Sequence, residues 1–178
     1  MTPKPPRADR PVPPGDDVPH GRGAPTPRVL LKPAAPRTGY VDGVWWPYTD
    51  KLAEELPGLL TRLSTRLHPV LRVGYHLVEW ATSPGELVVS GQAVRLDWHH
   101  DIAHTVMVAG PGNRRLVLLV VPPDTDPGDA YTAMTAAAAA NNAARPDDLL
   151  QIGIRKRRER TRRAAAVRRW AARTTSIN

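Results

Sequence analysis

The most distinctive chemistry of this chain lies near its C-terminus, where basic side chains are crowded together. Residues 155–173 carry ten basic side chains and one acid, Glu159, which is a net charge of +9. Arginine donates paired hydrogen bonds to phosphate, and the release of condensed counterions drives such binding. The run therefore predicts binding to RNA or DNA backbone without sequence specificity, with Trp170 able to stack on a base. The predicted contact residues are Arg155, Lys156, Arg157, Arg158, Arg160, Arg162, Arg163, Arg168 and Arg169.

Other interpretations of this basic run stay open. A solvated basic extension with no partner has the same composition, and so does a helix that meets an anionic membrane or an acidic protein. The apolar stripe of Ala164, Val167 and Trp170 is narrow for a helix that lies on a membrane. A further alternative is a structural or regulatory protein that binds a protein partner and catalyses no reaction.

His99, His100 and His104, with Asp101, form a second group that can do chemistry. In a helix, His100 and His104 would share one face and suit a metal ion such as zinc. The stretch lies between two predicted strands, where that argument fails, although His99, Asp101 and His104 can still converge on zinc or nickel in an extended loop. No second cluster completes such a site, and the other plausible ligands are His68 and His76. We expect a polar loop with solvent-facing histidines, no metal and no cofactor.

A third group consists of aromatic residues beside a carboxylate: Tyr40, Asp42, Trp45, Trp46 and Tyr48. Such a group can line a pocket for a sugar, a nucleoside or a cation. Tryptophans buried in a small core give the same pattern without any ligand. The alternative function is therefore a small-ligand-binding or enzymatic domain with its site at Tyr40, Asp42, Trp45 and Trp46.

Signatures of common enzyme classes are missing from the chain. It contains no Gly-x-Ser-x-Gly elbow, no phosphate loop, no dinucleotide fingerprint and no cysteine. No spacing pairs two carboxylates, such as Glu79 and Asp97, for acid–base catalysis. A non-enzymatic binding module is favoured. With no secretory signal and no apolar run of membrane-spanning length, we expect a cytoplasmic protein.

The composition divides the chain into three parts. Residues 1–26 are rich in proline and poor in other apolar side chains, and we expect them to form a disordered arm. Residues 27–145 are expected to form one α+β domain, and residues 146–178 a basic C-terminal helix or tail. Residues 1–154 carry 15 basic and 16 acidic side chains, so the last part holds all of the excess positive charge.

Apolar spacing predicts the elements of the domain. Leucines from Leu52 to Leu67 recur every three or four residues and predict a helix, with a kink or break at Pro57. Six apolar residues in a row, 116–121, predict a central strand covered on both faces. Further strands are predicted over residues 28–32, 40–46, 71–77, 86–89, 92–96 and 105–109, and helices begin near Asp126 and Pro146. The expected fold is a mixed, mainly antiparallel sheet of six to seven strands with helices packed on one face.

Two motifs carry a resemblance: TGYVDGVWWP at residues 38–47 and LVLLVVPPDT at residues 116–125. With the surrounding residues 28–140, the chain resembles a family of uncharacterised actinobacterial proteins that is known only as a domain of unknown function. The resemblance implies no activity, cofactor or catalytic residue. It implies that the N-terminal arm and the basic tail lie outside the shared domain, and it does not include His99 and His100.

Overall fold

The structure, a computed structural model, describes residues 26–34, 38–81, 83–99 and 102–175. Residues 1–25 of the expected arm, and His100 and Asp101 of the expected histidine loop, lie outside the described residues. The side chains of His99, Arg157, Arg160 and residues 166–175 also lie outside the described part.

Within the described residues, seven strands form one sheet in the order β1-β2-β7-β6-β3-β5-β4. Four neighbouring pairs are antiparallel, while β2 with β7 and β3 with β5 are parallel. This confirms the α+β class and the mixed, mainly antiparallel sheet. The strands are β1 Arg28–Leu31, β2 Gly43–Trp46, β3 Arg72–His76, β4 Glu86–Val89, β5 Gln92–His99, β6 Thr105–Ala109 and β7 Arg115–Val120.

The leucine stripe forms α1, Leu52–Leu63, which packs on one face of the sheet. Leu67 continues the stripe beyond the end of the helix and is also buried. Each fully buried leucine contributes about 1.5–3 kcal/mol of hydrophobic stabilisation, so the stripe holds α1 to the sheet. The break expected at Pro57 is absent, because α1 is continuous through that residue.

The opposite face of the sheet is covered by the other two described helices, α2 Pro127–Ala138 and α3 Pro146–Thr175. Neighbouring residues of β7 point to different cores: Leu118 contacts the α1 side and Leu119 the α2 side. The expectation that the helices pack on one face therefore needs correction. Because the apolar run in β7 is unbroken, its side chains must be buried on both faces of the sheet. α1 buries them on one face, and α2 with α3 buries them on the other.

The start of α2 follows the expected capping chemistry. The Asp126 side chain accepts hydrogen bonds from the amides of Gly128 at 3.0 Å and Asp129 at 3.2 Å, and Pro127 occupies the first turn. None of the helices in the described ranges is long and apolar enough to cross a membrane.

A close contact between helices explains a glycine in α3. A Cβ atom placed on Gly153 would lie 2.5 Å from the carbonyl oxygen of Asp129 and 2.6 Å from its Cα. Gly153 therefore lets α3 lie directly against the backbone of α2, with Leu149 fully buried one turn earlier. The glycine, which lowers intrinsic helix stability, is required by the packing.

The connections that follow β2 and β7 leave the sheet at the same end of the strands and turn to opposite faces. The antiparallel pairs β7–β6 and β6–β3 make β3 run in the same direction as β2 and β7. The chain after β2 enters α1 on one face, whereas the chain after β7 enters α2 on the other face. In open sheets, this divergence of parallel neighbours opens a crevice at their carboxyl ends.

Candidate functional site

The basic run lies on α3, beyond the part of that helix that packs against α2. Leu149 and Gly153 are buried, whereas the described basic side chains that follow them are exposed: Arg155, Lys156, Arg158, Arg162 and Arg163. Arg155 donates hydrogen bonds to the carbonyl oxygens of Gln151 and Asp148 within its own helix. Four further predicted contact residues, Arg157, Arg160, Arg168 and Arg169, lie on α3 with side chains outside the described part, as does Trp170.

The predicted aromatic group is dispersed rather than gathered around one ligand. Trp45 is 1% exposed in the core beneath α1 and stacks on Trp80, with ring centroids 5.3 Å apart. Asp42 has a structural contact, since its carboxylate accepts a hydrogen bond from the amide of Val117 at 2.9 Å. Tyr40 lies at the surface, with the guanidinium of Arg145 5.8 Å from its ring.

Trp46 and Tyr48 together hold an arginine. The guanidinium carbon of Arg28 lies 3.4 Å from the ring centre of Trp46 and 4.1 Å from that of Tyr48. Arg28 also donates hydrogen bonds to the carbonyl oxygens of Trp46 at 3.0 Å and Pro47 at 2.5 Å. Burial lowers the pKa of Arg28, with the nearby Tyr48 and Glu55 opposing that effect. The cation that these two rings recognise is therefore part of the chain itself.

One of the three predicted histidines joins a cluster that the spacing did not indicate. The Glu79 Oε1 atom lies 3.5 Å from Nδ1 of His104 and 3.4 Å from Nδ1 of His76, and it accepts a hydrogen bond from the backbone amide of His104. His104 has a φ of 56°, the left-handed region that few residues other than glycine adopt. Among the described residues, no group of three histidine, cysteine or acidic side chains is placed to hold a metal ion.

A cavity of about 640 Å³ opens where β2, β3 and β7 end. Its walls combine two aromatic side chains, three carboxylates and one histidine with several prolines, and no lysine or arginine is among the described residues that line it. The lining residues are Pro47, Tyr48, Thr49, Asp50, Glu79, Trp80, His104, Val120, Pro122, Pro123 and Asp124. A volume of 300–1,000 Å³ with few polar groups is typical of small-molecule sites.

The sequence interpretation missed most of this cavity. It included Tyr48 and His104, but in separate groups, and it treated Glu79 as a carboxylate without a partner. Asp50, Trp80 and Asp124 were not considered as site residues. Their positions in the sequence could have indicated them, because these residues follow the C-terminal ends of β2, β3 and β7, where ligands bind in open sheets.

Comparison with known proteins gives one match. The model of a family of unknown function, DUF5994, matches residues 28–137. The chain belongs to DUF5994. The expected membership in an uncharacterised family is confirmed, and the DUF5994 match contains the whole sheet and every residue of the cavity. It ends within α2, so α3 and its basic run lie beyond it. No curated protein and no solved structure matches the chain.

Proposed function

We propose that the protein is a non-enzymatic nucleic-acid-binding module in which α3 contacts the phosphate backbone of RNA or DNA. The observation that carries this proposal is the exposure of the described basic side chains along α3, a helix of 30 residues that continues past its contact with α2. Because these described side chains are exposed, packing within the domain does not account for their charge.

The distribution of charge supports the same function. Residues 155–173 carry a net charge of +9, and the preceding 154 residues carry −1. A near-neutral domain with one cationic helix is suited to an electrostatic anchor, in which the helix holds the domain on a polyanion. Arginine predominates in the run, and its planar guanidinium binds phosphate through two hydrogen bonds at once.

The dimensions of the helix set the expected number of contacts. At 1.5 Å per residue, the 19 residues of the basic run span about 28 Å. Basic side chains surround the helix, so about half of the ten can face one nucleic acid at the same time. We therefore expect about five phosphate contacts, which lie in the range where binding depends strongly on salt.

The test compares two variants with the same loss of charge. The first changes Arg155, Lys156, Arg158, Arg162 and Arg163 to glutamine, which preserves helix propensity. The matched control changes five exposed arginines of the domain to glutamine: Arg62, Arg72, Arg95, Arg114 and Arg115. Binding to a labelled single-stranded RNA and a DNA duplex is measured by fluorescence anisotropy, and helicity by circular dichroism.

The proposal predicts that the α3 variant loses about two orders of magnitude in affinity while its helicity is retained. The domain control keeps most of its affinity. Equal affinity of the α3 variant and the wild type contradicts the proposal, and so does an equal loss in the control. Binding that is restricted to anionic vesicles or to an acidic protein would also contradict it.

A further inference from the structure

We infer that the crevice at the C-terminal ends of β2 and β7 binds a small organic cation, an ammonium or guanidinium group carried on an apolar body. This site lies within the residues matched by DUF5994 and does not depend on α3. It gives the domain a binding activity that is separate from nucleic-acid binding.

The position of the crevice follows from the topology of the sheet. β2 and β7 are parallel neighbours, with Trp45 opposite Val120 in the register. Their continuations diverge, since residues 47–51 lead to α1 on one face and residues 121–126 lead to α2 on the other. Such a switch point is the usual ligand site of open sheets that contain parallel strands. The cavity of about 640 Å³ lies between these two connections.

The charge of the lining selects a cation. Asp50 and Asp124 are exposed carboxylates contributed by the two diverging connections, and Glu79 is a third carboxylate, 13% exposed. The described lining contains no lysine or arginine to balance them. These carboxylates would repel a phosphate or carboxylate ligand, whereas they would attract an ammonium or guanidinium group.

The aromatic walls suit the same ligand. Tyr48 and Trp80 line the cavity, and Trp45 stacks behind Trp80 and fixes the position of its ring. Aromatic faces attract cations and also bury the apolar body of an organic amine. The guanidinium of Arg28 already covers one face of the Tyr48 ring, at 4.1 Å, so Tyr48 offers a ligand only the rest of its surface.

The Glu79 side chain is held at the wall of the cavity by the backbone amide of His104. Its Oε1 atom is close to His76 and His104, but its buried Oε2 atom has no hydrogen-bond partner within the described residues. The indole Nε1 of Trp80 is likewise buried without a partner there. Because Oε2 is buried, the Glu79 carboxylate would act on a ligand in the cavity through its charge rather than by accepting a hydrogen bond at that atom.

The first experiment compares ligands of the same shape and different charge. 2-Phenylethylamine is titrated against neutral 2-phenylethanol and anionic phenylacetate, with the full-length protein observed by ¹H–¹⁵N NMR. The five tryptophans give five indole signals, and a Trp80→Phe variant assigns that of Trp80. We expect the amine to shift the Trp80 signal with a dissociation constant of about 10 mM or tighter, at least about ten-fold tighter than the alcohol. Equal affinity of the alcohol, or no shift with the amine, overturns the inference.

The second experiment removes charge from the rim without touching the core. Because Asp50 and Asp124 are exposed, Asp50→Asn/Asp124→Asn is expected to fold normally. It should bind the amine about five-fold or more weakly and leave the affinity for the alcohol unchanged. The matched control, Glu86→Gln/Asp148→Asn, removes two exposed acids that do not line the cavity. An unchanged amine affinity in the rim variant, or the same loss in the control, overturns the inference.

Discussion

Replacing Gly153 with alanine tests how α3 is held on the domain. In an exposed helix this change is favourable by about 0.8–1 kcal/mol, because alanine has the higher helix propensity. At Gly153, however, the new Cβ would lie 2.5 Å from the carbonyl oxygen of Asp129 and 2.6 Å from its Cα, where ordinary contact begins at 3.4 Å. Both atoms belong to the backbone of α2 and cannot rotate away, so α3 must move by about 0.9 Å to bring the shorter distance from 2.5 to 3.4 Å.

That movement has a predictable energetic effect. Overpacking of this kind costs about 1–3 kcal/mol, and Leu149, which is fully buried on the same helix, loses part of its packing. The two costs together exceed the gain in helix propensity. We expect Gly153→Ala to lower the free energy of unfolding by about 1–3 kcal/mol.

Urea denaturation followed by circular dichroism measures this effect, with Gly58→Ala as the matched control. Gly58 lies in α1, and a Cβ there would meet only side-chain atoms of Pro27, the nearest at 3.3 Å. We expect the control to be neutral or more stable than the wild type by up to about 1 kcal/mol. A Gly153→Ala protein that is as stable as the wild type, or more stable, would refute the close contact between α2 and α3.

Two further predictions concern a turn and a buried lysine. Gly91 has a φ of +79° in the β4–β5 hairpin, so Gly91→Ala should lower the free energy of unfolding by about 1 kcal/mol or more. In the control Gly85→Ala, the new Cβ meets nothing within 4 Å, and the free energy of unfolding should stay within about 0.5 kcal/mol of the wild type. Urea denaturation measures both values. Burial lowers the pKa of Lys32 below 10.5, with Asp42 opposing that effect. Between the lowered pKa and 10.5 the unfolded chain binds more protons than the folded protein, so the stability of the wild type relative to Lys32→Met should rise with pH in that window. If the difference in free energy of unfolding between the wild type and Lys32→Met stays flat or falls as the pH approaches 10.5, the burial of a charged lysine is contradicted.

Local patterns were sufficient to predict most of the helices and strands. The leucine spacing identified α1 because one face of that helix meets the sheet, and Asp126 with Pro127 identified the start of α2. The hairpin at Ser90 and Gly91 was also predictable, since both residues have the positive φ values that its tight turn requires.

The assignment of helices to faces was not predictable in the same way. α2 buries small residues, including Ala130, Ala133 and Ala137, and alanine on every side of a helix gives little indication of which side is buried. The run over residues 116–121 indicated a strand covered on both faces, but it did not indicate which helix covers each face. That depends on the directions in which the connections after β2 and β7 leave the sheet.

The two candidate sites also differ in how far the sequence could predict them. The basic run on α3 is continuous in the sequence, so its charge could be read directly. The crevice is assembled from four separate segments, residues 47–50, 79–80, 104 and 120–124, which meet only because β7 and β6 lie between β2 and β3. Strand order across a mixed sheet depends on distant pairings that no local pattern encodes. Asp42 shows the opposite case, in which a carboxylate beside aromatic residues bonds to the backbone of β7.

The salt dependence of nucleic-acid binding tests the central claim most directly. The affinity of the full-length protein for a DNA duplex is measured across a series of salt concentrations, and the logarithm of the affinity is plotted against that of salt. Five phosphate contacts predict a slope of about −4.5, which corresponds to a loss of roughly 500-fold between 50 and 200 mM salt, and single-stranded RNA should give about −3.5. The variant with five glutamines on α3 keeps the other five basic residues of the run, so its slope should fall to about half, near −2. A shallow slope for the full-length protein, or the same steep slope for that variant, would contradict a phosphate-binding role for α3.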